Sequence, residues 1–268
     1  MSALSAVKAF IPPVIVGLYQ RRLASRPVPT WRDAIAKSGN DYAMESLNAF
    51  RVERAILNRQ NRGAPPDNFL TLVALLADRD QLSICDFGGA TGELGEAILS
   101  RLPDVKYTVV ENARLALLAK KKLSTAVQFA TTIPATCNIF FSSGTLQYIE
   151  RPLEIWREAL ASAQFACILT RNSFSEQPII RVQRSNLFDN GYGAIPAGYR
   201  NRKIFYPHQT ISEQALTEVA KTYGFSLALR LAQNDGVLPY RNKVYGAQLV
   251  FIKKSTAINL TTPISNEA

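Results

Sequence analysis

The clearest chemical signal in the sequence is a glycine-rich turn that follows a short apolar run. Residues 83–92 read Ser-Ile-Cys-Asp-Phe-Gly-Gly-Ala-Thr-Gly and lead from a predicted strand into a predicted helix. Without a Cβ at Gly88, Gly89 and Gly92, the backbone can approach a ligand closely and adopt positive φ angles. Backbone amides at the start of the helix are expected to face that ligand. The turn therefore predicts a binding site.

Two carboxylates flank this turn. Asp86 ends the first predicted strand, and Glu111 ends the second, Tyr107-Thr108-Val109-Val110-Glu111. In doubly wound sheets an acidic residue after the second strand accepts hydrogen bonds from ribose hydroxyls. The pair predicts a nucleoside ligand.

Other nucleotide-binding motifs do not match the sequence of this turn. The dinucleotide pattern G-x-G-x-x-G would need glycine at Ala90 and Glu93, or at Thr91 and Leu94. No Gly-Lys-Ser or Gly-Lys-Thr follows the first strand, and the Asp-Phe-Gly at 86–88 lacks the companion kinase motifs. The glycine turn is neither a Rossmann dinucleotide fingerprint nor a phosphate loop.

Further polar residues follow later strands of the predicted sheet. Ser142 and Ser143 end the fourth strand and are candidate cofactor contacts, and Gln147 and Tyr148 come next as candidate catalytic residues. Arg171 directly follows the fifth strand and is a candidate for binding an anionic acceptor group, with an ion pair inside the fold as the alternative.

His208 is the only histidine in the chain. It is the one ready-made base near neutral pH, so it is a candidate general base, with a surface histidine beside a helix as the alternative. Tyr206, two residues earlier, is a candidate substrate contact. With a single histidine and three scattered cysteines we predict no metal, although an all-carboxylate site for a hard cation stays open.

The composition is that of an ordinary globular protein. The 268 residues are 47% hydrophobic and 19% charged, with a net charge of +10 that favours an anionic partner. Cys85, Cys137 and Cys167 lie in or beside apolar runs, which predicts buried structural thiols and a reducing, cytoplasmic location.

The N-terminal segment is apolar but short. Residues 9–19 carry no charge, yet the run is too short to span a membrane and is interrupted by Pro12-Pro13. Flanking basic residues fit a peripheral contact of residues 1–24 with anionic lipid at the inner membrane face. Docking on the protein itself or on a second subunit is the interpretation that we prefer. Residues 27–29, Pro-Val-Pro, predict a linker ahead of helices near 31–38 and 43–57.

From residue 82 short apolar runs alternate with helical patterns, which predicts a parallel sheet with helices on both faces. We place strands at 82–87, 107–111, 127–130, 138–142 and 166–170, helices near 92–101, 113–122 and 152–163, and a final strand pair at 225–232 and 244–253. Residues 172–210 are predicted to be irregular, ahead of a helix over 212–223. The predicted organisation is an α/β, Rossmann-like, doubly wound seven-stranded sheet over 81–255, a helical N-terminal cap over 1–80, an insertion near 173–210 and a tail over 256–268.

The spacing of Asp86, Gly88, Ala90 and Gly92 resembles motif I of the class I S-adenosylmethionine-dependent methyltransferases. The resemblance implies S-adenosylmethionine as cofactor and a sheet whose last two strands form a hairpin, with the Asn234-Asp235-Gly236 loop between them. It also implies that Asp86 holds the methionine amino group directly or through water, that Gly88 to Gly92 pass beneath the cofactor, and that Glu111 takes the ribose diol. A different nucleoside bound by a Rossmann-like domain is the alternative.

A narrower likeness covers most of the chain. Residues 31–42, 86–89, 109–111, 142–148 and 170–172 resemble a bacterial family of methyltransferases associated with surface-polysaccharide biosynthesis genes. The chain departs from that family at residues 52–55 and in its basic insertion. Because of these departures the likeness supports the cofactor and does not carry the acceptor over. The acceptor we expect is a saccharide or glycan precursor methylated on oxygen, either a small molecule or a glycan, and an anionic or lipid-linked form of it stays open.

Two other functions stay open. Between residues 181 and 206 basic and aromatic side chains alternate, a mixture that suits a sugar nucleotide, a glycan phosphate or single-stranded RNA. An RNA methyltransferase is therefore the second enzyme hypothesis. Against an exocyclic-amine or C5-pyrimidine methyltransferase, the chain lacks the Asn-Pro-Pro-Tyr and Pro-Cys signatures. A nucleoside-binding or membrane-associated scaffold without turnover is the non-enzymatic hypothesis.

Overall fold

A seven-stranded sheet forms the centre of the molecule. The computed structural model describes residues 25–38, 44–58, 82–191, 193–233, 240 and 243–254. The strands lie in the order β3-β2-β1-β4-β5-β9-β8, with β1 to β5 parallel and β9 antiparallel to both neighbours. Their bounds are β1 Ser83–Phe87, β2 Lys106–Val110, β3 Gln128–Ala130, β4 Cys137–Ser143, β5 Ala163–Phe174, β8 Phe225–Ala232 and β9 Tyr245–Lys253. The predicted doubly wound sheet with a final antiparallel pair is confirmed; the loop at 234–236 lies outside the described residues.

Helices lie ahead of the sheet and between its strands. Their bounds are α1 Trp31–Ser38, α2 Glu45–Leu57, α3 Glu93–Leu99, α4 Ala113–Lys122, α5 Pro152–Ser162 and α6 Glu213–Thr222. At the start of α1 the Thr30 side chain accepts a hydrogen bond from the Asp33 amide, and the Asp33 carboxylate accepts one from the Thr30 amide. This reciprocal pair is a capping box, which explains why the helix begins at that point.

Both faces of the sheet are apolar, because its strands carry apolar runs, and both faces are covered by helices. One face packs against α3 and α4 through Ile98 and Leu115, and the other packs against α5 and α6. Trp156 of α5 is fully buried there, and its indole nitrogen donates a hydrogen bond to the carbonyl oxygen of Leu216 in α6. Two helical layers hold the sheet rigid, so that its strand ends present side chains at defined positions.

Residues 172–210 contain regular structure, so the prediction of an irregular stretch was wrong. Strands β6, Ile180–Asn186, and β7, Lys203–Gln209, form a separate antiparallel pair. β5 also continues to Phe174, past a left-handed residue at Arg171 with φ +57°. The strand signal was missed because buried positions of the new pair carry polar residues, including Arg181 and His208, which removes the apolar alternation.

The N-terminal helices and this inserted hairpin pack together. Instead of forming a free linker, residues 25–29 run along β6: the amides of Ser25 and Val28 donate to carbonyls of β6. The buried Arg54 of α2 donates to the carbonyl oxygens of Phe188, Asn190 and Gly193 in the loop between β6 and β7. From here on, the cap means residues 25–38 and 44–58 together with β6, β7 and the loop between these strands, and not the predicted N-terminal cap over 1–80.

Among the described helices, none is long and apolar enough to cross a membrane. Residues 1–24, on which the predicted lipid contact rests, lie outside the described part of the chain. So do residues 59–81 and the tail from residue 255.

Candidate nucleoside and acceptor site

The sheet reverses its strand order between β1 and β4. The chain goes from β1 to β2 on one side and from β4 to β5 on the other, which leaves a crevice at the carboxyl ends of these strands, where ligands of open α/β sheets bind. The Ser142 hydroxyl bridges the two strands by donating to the carbonyl oxygen of Phe87 at 3.1 Å. Every candidate cofactor residue lies at this edge.

The glycine turn lies directly over the end of β1. Gly88 and Gly92 have φ of +78° and +80°, and Ala90 between them is also left-handed. A Cβ on Gly88 would lie 2.0 Å from Thr145 Oγ1, and one on Gly89 would lie 2.3 Å from Asp86 Oδ2. Close packing and backbone conformation both require glycine at Gly88, and close packing alone requires it at Gly89.

Asp86 lies beneath the turn. Its side chain is almost fully buried, and its Oδ2 accepts a hydrogen bond from the Tyr107 hydroxyl at 2.7 Å. Burial raises the pKa of Asp86 to about 7, and the Tyr107 hydrogen bond opposes that rise. Asp86 thus supports the turn from below, and its contact with a methionine amino group stays a prediction.

Glu111 follows β2 and is held from two sides. Its Oε1 accepts a hydrogen bond from the Ala90 amide at 3.2 Å, and its Oε2 accepts from the Asn112 amide at 3.0 Å and side chain at 3.1 Å. Burial raises the pKa of Glu111, while the positive charge of Arg51 and these N–H donors lower it. Glu111 is thus a half-buried carboxylate tied to the glycine turn, and its contact with a ribose stays a prediction.

Neutral polar groups occupy the ends of β4 and β5. The Thr170 hydroxyl donates to Ser143 Oγ at 3.0 Å, and Ser142 is buried against β1. Gly144 turns the chain away from the sheet with φ +70°. Ser142 and Ser143 therefore reach the same edge as the glycine turn, as predicted from their position after β4.

Gln147 and His208 meet in a buried polar cluster. Gln147 Nε2 donates to the carbonyl oxygen of Arg171, so Gln147 Oε1 is the atom that accepts from the Ser173 amide and lies 3.2 Å from His208 Nε2. His208 must therefore carry its proton on Nε2, and its buried Nδ1 has no hydrogen-bond partner. The surface alternative for His208 was wrong.

His208 is neutral in this environment. Burial and the positive charge of Arg181, its register partner across the β6–β7 pair, lower the pKa of His208 to about 3. Burial also lowers the pKa of Arg181 to about 10. The unprotonated Nδ1 of His208 can accept a hydrogen bond, but the low pKa makes it a weak base. The role of His208 as a general base stays a prediction.

The remaining candidate residues surround this cluster. The Tyr148 hydroxyl donates to Gln183 Oε1 at 2.9 Å, and its ring packs edge-on against those of Tyr206 and His208. Tyr206 is buried, whereas Arg171 is half-buried with its amide donating to Gln233 Oε1. The structure brings Gln147, Tyr148, Tyr206 and His208 together around the end of β5.

Sequence reasoning missed the contribution of α2. Asn48 Nδ2 donates to Asn112 Oδ1 at 3.3 Å, and Arg51 lies close enough to influence the pKa of Glu111. Their spacing of three residues places them on one helix face, but nothing in the sequence indicated that this face meets the end of β2.

Two further predictions concern metal and cysteine. Within the described ranges, no cluster of histidine, cysteine and acidic residues is arranged to hold a metal ion. Cys85, Cys137 and Cys167 are free and buried, as predicted for structural thiols. Burial raises the pKa of the Cys167 thiol, which keeps it protonated and unreactive.

No protein-family model matches the chain, and no curated protein matches it. Solved structures match at low identity. An S-adenosylmethionine-dependent methyltransferase from Clostridium acetobutylicum ATCC 824 is 10% identical with a TM-score of 0.48, covering 78% of this chain and 99% of its own. The sugar N-methyltransferase KedS8 from Streptoalloteichus sp ATCC 53650 is 13% identical with a TM-score of 0.46, covering 74% and 91%. The magnesium protoporphyrin IX methyltransferase ChlM from Synechocystis PCC 6803 is 14% identical with a TM-score of 0.44, covering 70% and 77%.

The strand order itself defines the class of fold. Five parallel strands in the order 3-2-1-4-5, completed by an antiparallel pair, form the Rossmann-like sheet that the resemblance to class I methyltransferases implied. The chain therefore has a Rossmann-like, doubly wound fold with the strand arrangement that this resemblance implied, and helices precede the sheet.

Proposed function

We propose that this protein is an S-adenosylmethionine-dependent methyltransferase that O-methylates a saccharide or glycan precursor. One observation carries the cofactor assignment: the Glu111 carboxylate is tied to the glycine turn through the Ala90 amide, at the point where the sheet reverses its strand order. Nucleoside ligands of doubly wound folds bind at this point.

The residues present fit such a cofactor. Glu111 offers carboxylate oxygens to ribose hydroxyls, and glycine at Gly88 and Gly89 lets the turn pack directly against Thr145 and Asp86 beside this carboxylate. When bound, S-adenosylmethionine supplies a methyl group on a positively charged sulfur. Rate enhancement then depends chiefly on holding the acceptor oxygen in line with the bond that breaks.

Neutral polar side chains favour a hydroxyl-bearing acceptor. Ser143 and Thr170 lie together at the ends of β4 and β5, and Tyr148 places its hydroxyl on Gln183 of β6. Hydroxyl groups of this kind exchange hydrogen bonds with sugar hydroxyls. In this proposal the acceptor proton passes to a nearby acceptor atom or to water, and His208 Nδ1 is the candidate acceptor atom.

An RNA substrate is less well supported. One basic residue of the insertion, Arg181, is buried beneath the Tyr240 ring, whereas Arg202 and Lys203 are exposed and donate to Ser46 and Asn186. A buried guanidinium does not meet an RNA phosphate, so the insertion offers fewer phosphate contacts than its letters suggest. We therefore keep the saccharide acceptor as the proposal.

Calorimetric titration with S-adenosylhomocysteine tests the cofactor. We expect one site of micromolar affinity, about −8 kcal/mol. Replacing Glu111→Gln keeps an acceptor for the Ala90 amide but removes the charge, and should weaken binding by about 1–3 kcal/mol. Glu154→Gln, which changes an exposed carboxylate on α5, is the matched control. Equal affinity of the Glu111 variant and wild type would rule out the ribose assignment.

Transfer of a labelled methyl group tests the acceptor. The protein is incubated with methyl-labelled S-adenosylmethionine and either a glycan-precursor fraction or total RNA. We expect label in the glycan fraction with little dependence on salt. Label in RNA, with binding that falls steeply as salt rises, would favour the RNA methyltransferase. Cofactor binding without any transfer would favour the scaffold.

A further inference from the structure

Helix α2 of the cap reaches the nucleoside side of the site through a chain of hydrogen bonds. Asn48 is fully buried, and its Nδ2 donates to Asn112 Oδ1. The Asn112 side chain donates in turn to Glu111, which accepts from the Ala90 amide of the glycine turn. Four residues thus connect the cap to the turn without a break.

The orientation of the Asn48 amide follows from its partner. Asn112 Oδ1 also accepts from the Leu115 amide at 3.0 Å as the N-cap of α4, so this atom must be an oxygen. Asn48 can only present its NH2 group to that oxygen. Its own oxygen, Oδ1, faces elsewhere, is buried and has no hydrogen-bond partner.

A buried oxygen without a partner is costly. Leaving such an acceptor unsatisfied costs about 1–3 kcal/mol, so native proteins supply a donor from protein, water or ligand. Asn48 Oδ1 therefore marks a place where a donor is expected.

A second residue of α2 lies on the same side. Arg51 follows Asn48 by three positions, so the two side chains share a helix face. Its guanidinium donates to Asn190 Oδ1 at 3.3 Å, and its positive charge acts on Glu111. The face of α2 that carries Asn48 is thus directed at the carboxylate assigned to ribose.

We propose that Asn48 is a nucleoside-binding residue of the cofactor site, with its Oδ1 accepting a hydrogen bond from a donor of the nucleoside, either a ribose hydroxyl or the exocyclic amine. The inference rests on the proposed function, because it assumes a nucleoside cofactor. The nucleoside end is chosen over the amino-acid end because the hydrogen-bond chain from Asn48 ends on Glu111.

The test is calorimetry with two ligands, S-adenosylhomocysteine and 5′-methylthioadenosine, which lacks the amino-acid end. Asn48→Leu removes both polar atoms at similar volume, and Asn48→Ala removes them with less risk of strain. We expect each variant to bind both ligands about tenfold more weakly, by the same factor. Ile56→Ala, which alters an exposed residue of the same helix, should bind both as wild type does.

Folding of the variants is checked by thermal denaturation without ligand. Asn112 Oδ1 keeps its donor from the Leu115 amide when Asn48 is replaced, so the substitutions leave no new unpaired atom there. If neither variant folds, the wild type is titrated with 2′-deoxy, 3′-deoxy and inosine analogues of methylthioadenosine. Because Glu111 is already assigned to the ribose hydroxyls, the same analogues are also titrated with Glu111→Gln. Loss of one donor should still weaken binding about tenfold in that variant, and binding of all three analogues as tight as that of methylthioadenosine overturns the inference.

The outcomes separate the two proposals. If wild type binds S-adenosylhomocysteine and the Asn48 variants bind it equally well, the inference is wrong and the proposed function stands. If the variants lose affinity for S-adenosylhomocysteine but not for methylthioadenosine, Asn48 serves the amino-acid end and the inference is also wrong. If wild type binds neither ligand, the proposed function fails.

Discussion

The two proposed parts of the site, a nucleoside side around the glycine turn and an acceptor side around the end of β5, bury ionisable groups of opposite kinds. Beneath the glycine turn lies an acid, Asp86, whose pKa burial raises to about 7. Beside the end of β5 lies a base, His208, whose pKa burial and Arg181 lower to about 3. Desolvation disfavours the charged form of each group, so both sides approach neutrality by shifts in opposite directions.

The opposite shifts give opposite dependences of stability on pH. For Asp86, the folded state holds the proton more tightly than the unfolded state, so stability is greatest below about pH 3.8 and falls as pH rises towards 7. For His208, the unfolded state holds the proton more tightly, so stability is full above about pH 6.5 and falls as pH drops towards 3. In the wild type these two contributions partly cancel.

The largest expected effect concerns the turn on the nucleoside side. Gly88→Ala should lower affinity for S-adenosylhomocysteine by more than about 100-fold, because the new Cβ would overlap the Thr145 side chain. Gly198→Ala is the matched control: its φ of +85° is equally unfavourable for alanine, but no atom lies within 4 Å. Titration of both variants separates overlap from backbone strain. Wild-type affinity in Gly88→Ala would show that the turn can shift away from Thr145.

The next largest effect is expected on stability, at the contact between α2 and the β6–β7 loop within the cap. Arg54→Met should lower the free energy of unfolding by about 3 kcal/mol, because carbonyl oxygens in the β6–β7 loop lose their buried donor. Arg32→Met, at an exposed position of α1, should change it by less than about 0.5 kcal/mol. Urea denaturation measures both, and equal stability would mean that the cap is not held by this arginine.

The pH comparison itself can be sharpened by removing each group in turn. With Asp86→Asn, stability should rise with pH between about 4 and 6.5, because the opposing acid is gone. With His208→Asn, it should fall with pH over the same range. Each slope should approach about 1.4 kcal/mol per pH unit. The charged neighbours are Glu93 and Glu111 around Asp86 and Arg181 beside His208. Parallel profiles of the two variants in urea denaturation would contradict the burial of one group or both.

The smallest effect is expected at the rim of the acceptor side. Tyr148→Phe removes the hydrogen bond to Gln183 and should cost about 0.5–1.5 kcal/mol of stability. Because Tyr148 is half-buried, water can replace part of this bond. Tyr223→Phe, on the exposed end of α6, is the control. A loss above about 3 kcal/mol would mean that Gln183 has no other partner and that Tyr148 holds the cap to the sheet.

The alternation of apolar runs and helical patterns was enough to predict the sheet. Strands such as β1 and β4 are short, apolar and bounded by polar or glycine residues, and the regular βα succession indicates a parallel sheet. The site residues that end these strands, Asp86, Glu111 and Ser142, were predictable for the same reason, because parallel strands bring their carboxyl ends to one edge.

The inserted hairpin was not predictable in this way. Arg181 and His208 are polar residues in buried positions, and the burial of a polar side chain depends on partners that are distant in the chain. The partner of His208 is Gln147, and that of Arg181 is the ring of Tyr240. The local periodicity of apolar residues does not indicate such partners.

By itself the sequence determined the glycine turn, its two carboxylates and the strands that hold them, because each depends on residues close together in the chain. Only the tertiary structure decided that His208 is neutral with a bare Nδ1, and that Asn48 lies against the end of β2. Both facts depend on the packing of the cap onto the sheet, which sets burial and hydrogen-bond partners across more than 60 residues of chain.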